Sequence, residues 1–272
     1  MIGGLRLAAP AKLNVSLSVI GQRDDGYHLL DSELVLLELA DELRLLSGCS
    51  GLRVSGTDVP AGDDNLAWRG LVVGLGEEPA AACLELDKRI PVAAGLGGGS
   101  SDAAAARRLG RTWRGLPEGA ADEADLAGLV AIGSDVPFFA ACVPAARVTG
   151  IGERVEPILP APAHVVLVDP GFGLATAAVF AELRPDEWGS APNDLLGPAR
   201  RLRPELDDVF ATVERAGGEP RLTGSGPTVF AISDDRDRAA SLAERLRGAG
   251  LGVTLTRTRD AAASIERIDE EE

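Results

Sequence analysis

The residues with the most chemical content lie in one run, Pro91-Val92-Ala93-Ala94-Gly95-Leu96-Gly97-Gly98-Gly99-Ser100-Ser101-Asp102. Four glycines in five positions leave the backbone free to bend and to approach another group closely. Two hydroxyls follow, and then Ala103-Ala104-Ala105-Ala106, a strong helix former. A helix start offers unpaired N–H groups and a partial positive charge, and the loop adds further N–H groups in a nest. This arrangement suits phosphate. The spacing excludes commoner glycine loops. No G-x-x-x-x-G-K-[ST] occurs, the sixth position counted from Gly95 is Ser100 rather than glycine, and G-x-S-x-G is absent. The plainer alternative is a flexible linker, with Ser100 or Ser101 capping the helix.

A second chemical residue is Asp135, inside the apolar stretch Leu129 to Ala146. A membrane-spanning helix there would bury the carboxylate at about 2.5–3.5 kcal/mol, and Pro137 and Pro144 interrupt it. The stretch reads as protein interior, and a buried carboxylate calls for a partner cation. Only two histidines occur, His28 and His164, which removes a multi-histidine metal centre. Cys49, Cys83 and Cys142 are odd in number, far apart and without C-x-x-C spacing. They read as three reduced, mostly buried thiols, with neither a zinc site nor a disulfide framework.

These groups must be held by a sizeable fold. The chain has 272 residues, 45% hydrophobic and 25% charged, enough apolar surface to exclude disorder as its main state. The net charge of -15, from 27 basic and 42 acidic residues, argues against a broad grip on nucleic acid or an anionic membrane. It leaves room for one small anion at a local site. The N-terminus lacks the basic start and apolar core of a signal peptide.

Hydrophobic periodicity predicts strands at 5–19, 34–39, 43–46, 52–54 and 83–90, with a break at Pro10-Ala11-Lys12. Helical spacing marks 65–75 and 122–132, and residues 95–102 read as a loop running into a helix. The proline-rich segment 153–162 is the candidate domain boundary, giving units 1–155 and 156–272. The second unit alternates strands (164–169, 228–233, 253–257) with helices (176–183, 204–216, 236–249). That pattern suits an α+β sandwich with helices on one face. The segment 107–123, basic and then acidic, has no assigned role, and the acidic tail 268–272 reads as frayed.

Three blocks in order carry a resemblance: Pro10-Ala11-Lys12-Leu13-Asn14-Val15-Ser16-Leu17, the glycine run, and Leu222-Thr223-Gly224-Ser225-Gly226-Pro227-Thr228-Val229-Phe230. In these the chain resembles the GHMP kinase superfamily over about residues 5 to 260. Asp25-Gly26-Tyr27-His28, Gly133-Ser134-Asp135-Val136-Pro137-Phe138-Phe139 and Gly150-Ile151-Gly152-Glu153 resemble the branch that phosphorylates a cytidine-diphosphate methylerythritol in isoprenoid synthesis. The resemblance implies a two-domain fold, with an N-terminal ribosomal protein S5 domain 2-like half and a ferredoxin-like C-terminal half.

The resemblance further implies ATP and Mg2+ as cofactors, with no clear protein ligand for the metal. Asp135 would accept the proton of the substrate hydroxyl, or only align it, while Lys12 holds the aspartate. A purely structural ion pair is the alternative. Gly95, Leu96, Gly97, Gly98, Gly99, Ser100 and Ser101 would cradle the ATP phosphates. Asn65, Lys88 and Asp102 would lie near the adenosine. Asn65 equally suits a helix cap, Lys88 a solvated strand position, and Asp102 a cap or a ribose contact. On the acceptor side, Tyr27 and Phe180 would stack on the cytosine, and His28 would bond its edge. Asn14, Thr176, Gly224, Ser225 and Gly226 complete the substrate set. Phe180 equally suits a core position, and the N-D-L segment Asn193-Asp194-Leu195 also matches the family.

The implied enzyme is a cytoplasmic monomer or weak homodimer that binds small molecules. Three other readings compete with it. A kinase for homoserine, mevalonate or a sugar has no base for Tyr27 and His28 to read. A catalytically dead nucleotide sensor has no need of both Lys12 and Asp135. An RNA-binding module fits poorly with the acidic balance and few aromatics.

Overall fold

The computed structural model describes residues 2–57, 59–77 and 82–269. Its backbone begins with β1 (Ile2–Gln22) and β2 (His28–Ser47), two long strands paired antiparallel. The register shifts between Pro10 and Lys12, between Asn14 and Ser16, and between Val19 and Gly21. Proline cannot donate to a ladder, so the first shift falls where the sequence predicts a break. The strand continues through it. Likewise the two separate segments expected at 34–39 and 43–46 are one strand. Each end of β2 has its own antiparallel partner, which keeps it extended throughout.

Then come β3 (Gly51–Ser55), α1 (Leu66–Leu75), β4 (Ala82–Asp87), α2 (Gly98–Trp113), α3 (Glu123–Leu129), α4 (Val136–Ala140), β5 (Ala145–Gly150) and β6 (Arg154–Pro157). One seven-stranded sheet runs β11-β1-β2-β4-β3, with β5 on β2 and β6 on β5; its strand β11 (Glu266–Asp269) returns from the chain's end. β6 occupies the segment where composition suggested only a boundary. Residues 270–272 of the expected frayed tail lie outside the described residues, whereas Ile268 and Asp269 are paired with β1.

The helices α1 and α2 cover one face of this sheet over a core that includes Leu7, Leu43, Leu45, Leu71, Leu84 and Leu109. The two helices touch backbone to backbone. A Cβ at Gly70 would fall 2.1 Å from the Ala103 carbonyl oxygen, and one at Gly74 would fall 2.3 Å from that of Arg107. Ala103 to Ala106 are all buried, so the alanine run is a packing surface as well as a helix former. Arg107 and Arg108 are buried too, paired with Asp125 and Glu118. The segment 107–123 thus anchors α2 to α3 and to the loop that joins them.

The second sheet is built from β7 (His164–Asp169), β8 (Arg221–Leu222), β9 (Val229–Ser233) and β10 (Gly252–Arg257) in the order β10-β7-β9-β8, all antiparallel. Its helices are α5 (Thr176–Glu182), α6 (Leu196–Leu202), α7 (Leu206–Arg215) and α8 (Arg236–Gly248). This is the βαββαβ order of a ferredoxin-like unit. Leu17 and Val19 from the tip of the β1–β2 hairpin are part of its core. The hairpin thereby ties the two sheets together.

One expectation about cysteine is overturned: Cys49 and Cys83 form a disulfide, with Cα atoms 5.2 Å apart. They are 34 residues apart in sequence, but β2 pairs with β4 so that Leu46 faces Cys83, which brings Cys49 alongside. Spacing along the chain does not reveal a cross-strand neighbour. Cys142 is a free thiol. No helix among the described residues is long and apolar enough to cross a membrane.

Candidate active site

Three stretches from distant parts of the chain meet at one cleft of about 510 Å³. The first is the bulged part of β1. Lys12 is buried, and its ammonium donates to Asn14 Oδ1 and stands 3.5 Å from Asp135 Oδ2. Asn14 is fixed in turn: its Nδ2 donates to Ser32 Oγ at 2.8 Å, and its backbone N–H donates to Thr223 Oγ1 at 3.0 Å. The pair is asymmetric. The Lys12 side chain is 4% exposed and that of Asp135 is 34% exposed. The cation is therefore held inside, and the carboxylate faces the cleft at the start of α4.

The second stretch is the glycine run. The helix begins at Gly98, with Gly97 as a left-handed N-cap that makes no side-chain cap bond. Gly98 to Asp102 are therefore helical rather than looped, and neither serine nor Asp102 caps the helix. The absent side chains leave room for close approach. A Cβ at Gly97 would fall 2.9 Å from Lys12 Cγ, and one at Gly95 would fall 2.5 Å from the Thr223 carbonyl oxygen.

The third stretch, Thr223 to Gly226, packs against both. A Cβ at Gly224 would fall 3.1 Å from Lys12 Nζ. Asn193 Nδ2 donates to the carbonyl oxygens of Leu222 and Gly224, both at 2.9 Å. Asp194 accepts from the backbone N–H groups of Val19, Gly189, Ser190 and Ala191. The N-D-L segment thus fixes the third stretch and the hairpin tip.

The cleft wall includes Lys12, Asn14, Asn65, Lys88, Gly95 to Ser100, Asp102, Asp135, Thr176, Phe180, Gly224 and Ser225. Thr176 Oγ1 and Ser225 Oγ share a hydrogen bond of 2.9 Å. Asn65 caps α1, its Oδ1 accepting from Ala67 N–H at 2.9 Å, so the capping alternative holds while the residue still faces the cleft. Lys88 is buried rather than solvated, bonded to Asp41 and Asp102. Four expected residues do not line the wall. Ser101 is buried with an unpartnered Oγ, and Gly226 is buried against the Leu222 and Leu174 side chains. Tyr27 is 61% exposed at the hairpin turn. His28 stacks on Phe180 at 5.2 Å between ring centroids and meets Trp188 edge-on at 6.2 Å. Partial burial lowers the His28 pKa from its ordinary 6.5, which favours the neutral ring.

An interior lysine, an outward carboxylate and a glycine-lined helix start are the parts phosphoryl transfer asks for: alignment and charge neutralisation. Known proteins agree. The family model for the N-terminal domain of GHMP kinases matches residues 65–142, and that for their C-terminal domain matches residues 178–251. A 4-diphosphocytidyl-2-C-methyl-D-erythritol kinase of Cereibacter sphaeroides is 38% identical, covering 93% of this chain and 98% of that protein. One from Thermus thermophilus is 37% identical, covering 89% and 92%. A crystal structure of 4-(cytidine 5'-diphospho)-2C-methyl-D-erythritol kinase matches with a TM-score of 0.75 and 34% identity, covering 93% of this chain and 99% of that one.

The chain belongs to the GHMP kinases, in the 4-diphosphocytidyl-2-C-methyl-D-erythritol kinase branch. The fold is the two-domain GHMP kinase fold. Two members of this site gave little warning in the GHMP kinase sequence. Asn193 appeared only as part of a resemblance without a role. Asp41 sits beside Glu42 in the strand segment Leu39-Ala40-Asp41-Glu42-Leu43, and nothing in that pattern marks it as the acid that is wholly buried.

Proposed function

We propose that this kinase transfers the γ-phosphoryl group of ATP to the 2-hydroxyl of 4-diphosphocytidyl-2-C-methyl-D-erythritol, in the non-mevalonate route to isoprenoid precursors. The carrying observation is the Lys12–Asp135 pair, set opposite the glycine-lined start of α2 in one cleft. ATP phosphates fit the backbone N–H groups of 95–100, and the acceptor fits the opposite end, by Thr176 and Phe180. Asp135 aligns the acceptor hydroxyl and takes its proton. Lys12, held by Asn14, keeps that carboxylate in place and offsets charge that develops during transfer.

Tyr27, His28 and Phe180 are the base-reading group in this proposal. The His28–Phe180 stack supports a flat aromatic slot at the hairpin mouth. A neutral imidazole presents one donor and one acceptor, the pattern needed to read a cytosine edge. A site that hydrogen-bonds one base rejects another because the mismatch leaves polar groups unpaired.

Oxygen donors suited to Mg2+ are present in the Ser100 hydroxyl and the Asp135 carboxylate, both on the cleft wall. When bound, the ion would neutralise phosphate charge. Cytoplasmic location and a monomer or weak homodimer complete the proposal.

The test is ADP release over a panel of alcohols: the cytidine-diphosphate acceptor, its uridine analogue, mevalonate and homoserine. Turnover is expected with the cytidine compound and at least tenfold less with the uridine analogue. Equal turnover of the two would remove the base-reading role. Turnover of mevalonate or homoserine alone would overturn the proposed substrate.

A further inference from the structure

Asp41, Lys88 and Asp102 form a buried ionic cluster just behind the glycine run. Lys88 Nζ donates to Asp41 Oδ2 and, at 2.7 Å, to Asp102 Oδ2. The other Asp41 oxygen accepts the backbone N–H groups of Arg89 at 2.5 Å and Ile90 at 2.8 Å. One carboxylate from β2 therefore holds the chain where it leaves β4. Through Lys88 it also holds the first turns of α2, where Asp102 lies. Residues 91–97, the glycine loop, are the span between those two fixed points. Gly98 rests on the cluster: a Cβ there would fall 3.2 Å from Lys88 Nζ and 3.1 Å from Ile90 Cγ2.

Such fixing has a purpose a salt bridge for stability lacks. Buried ion pairs add little over well-packed apolar residues, because desolvation offsets their attraction, but they specify geometry. The loop needs specification. Ala93 at φ 53°, Gly95 at 74° and Gly97 at 70° are all left-handed, which disfavours Ala93 in particular. N–H groups act on phosphate only if they converge, so the loop ends must be set before ligand arrives.

We propose that Asp41 is a positioning residue for the nucleotide: through Lys88 and Asp102 it clamps both ends of the glycine loop. This rests on the reading of that loop as the ATP site. The clamp also suits an anionic ligand. Two carboxylates share one ammonium, and the charged groups acting on Asp102 are Lys88 from the end of β4 and Asp41 from β2. Burial, assisted by Asp41 and opposed by Lys88, raises the Asp102 pKa from 3.8 to about 8. The raised value favours the protonated carboxyl, which brings the cluster closer to neutral beside the phosphates. As pH rises through about 8 the proton leaves, and a negative charge appears behind the loop.

The experiment compares wild type with Asp41→Asn, which keeps size and an acceptor oxygen but removes the charge that holds Lys88. ATP affinity is measured by calorimetry without acceptor, alongside steady-state KM values and Tm. The expected result is a tenfold or larger loss in ATP affinity and rise in its KM. The KM of the acceptor alcohol should move less than twofold. An Asp41→Asn protein with lower Tm but unchanged ATP affinity overturns the proposal and leaves Asp41 only structural. If that variant does not fold, wild type and Asp102→Asn decide. Wild-type ATP affinity should fall above pH 8, approaching tenfold per pH unit, and Asp102→Asn should flatten that fall. A flat wild-type profile overturns the proposal. Wild type that binds no ATP at any pH overturns the ATP reading as well, so the two failures are distinct.

Discussion

Asp135 stands out in the sequence because a carboxylate inside an apolar stretch needs a reason. The structure supplies the partner, Lys12, from a strand more than a hundred residues away. Its exposure toward the cleft, against a buried Lys12, supports the proposal that the carboxylate is the group that meets substrate. Asp135→Asn keeps the size and loses the charge. Turnover should drop by about 10²–10⁴-fold, the usual worth of a positioned acid or base, while ATP affinity stays within twofold. Normal turnover in a stopped-flow or ADP-release assay would remove Asp135 from the chemistry.

His28 offers a pH test of its own. Its pKa is lowered by desolvation, so the folded state favours the neutral ring. A depressed folded pKa contributes stability above the ordinary value of 6.5, and that contribution is lost as pH falls through the lowered one. Base reading should follow the same course. The acceptor KM is expected to rise as pH falls through that lowered value, and His28→Gln should flatten that rise. A KM independent of pH in wild type would separate His28 from the base. No local sequence pattern shows that Tyr27 projects outward while His28 packs on Phe180. That difference depends on which side of the hairpin each neighbour faces.

At the scale of elements, local patterns carried most of the helices, whereas α4 and α6 were not predicted. Asn65 opens α1 as its type and position suggest, and the alanine run lies inside α2. The start of α2 was legible only to within a turn. Three successive glycines read as loop, yet Gly98 and Gly99 are helical because α2 is held by packing against α1 and by the cluster under Gly98. Tertiary contact outweighs glycine's poor propensity there. The continuity of β2 was hidden for a similar reason: its two halves answer to different partners, so no single alternation runs through it. The short β11 depends on β1 for its existence and has no signal of its own.

The N-D-L segment shows what an irregular element can do. Asn193 ties two carbonyls of the Leu222–Gly224 turn, and that turn touches Lys12 and the glycine run. Asn193→Ala leaves both carbonyls without that donor, at a cost of roughly 1–3 kcal/mol. The turn is then free to shift against Lys12. A fall in Tm together with a several-fold drop in kcat is expected. A fall in Tm with full kcat would limit Asn193 to stability.

Across the whole molecule, the net charge of -15 stands against an anionic ligand. The cleft answers at a smaller scale: a helix start, a bounded glycine loop and one buried lysine act within a few ångströms of their target. Net charge acts over roughly a Debye length, about 8 Å at physiological salt, and is screened beyond it. The disulfide is the opposite case, a feature of the global fold that local spacing hid. Cys49 and Cys83 close a loop between partners of one sheet, and neither lines the cleft. For a sequence separation of 34, a chain-entropy account gives about 3–4 kcal/mol of stabilisation in the oxidised form. Oxidised wild type should therefore melt well above Cys49→Ser, and dithiothreitol should erase that difference. Because the bond lies outside the cleft, kcat/KM should be the same in oxidised and reduced protein. A cytoplasmic enzyme would work with the pair reduced, so loss of activity on reduction would mean that the cross-link reaches the active site through β2 and β4.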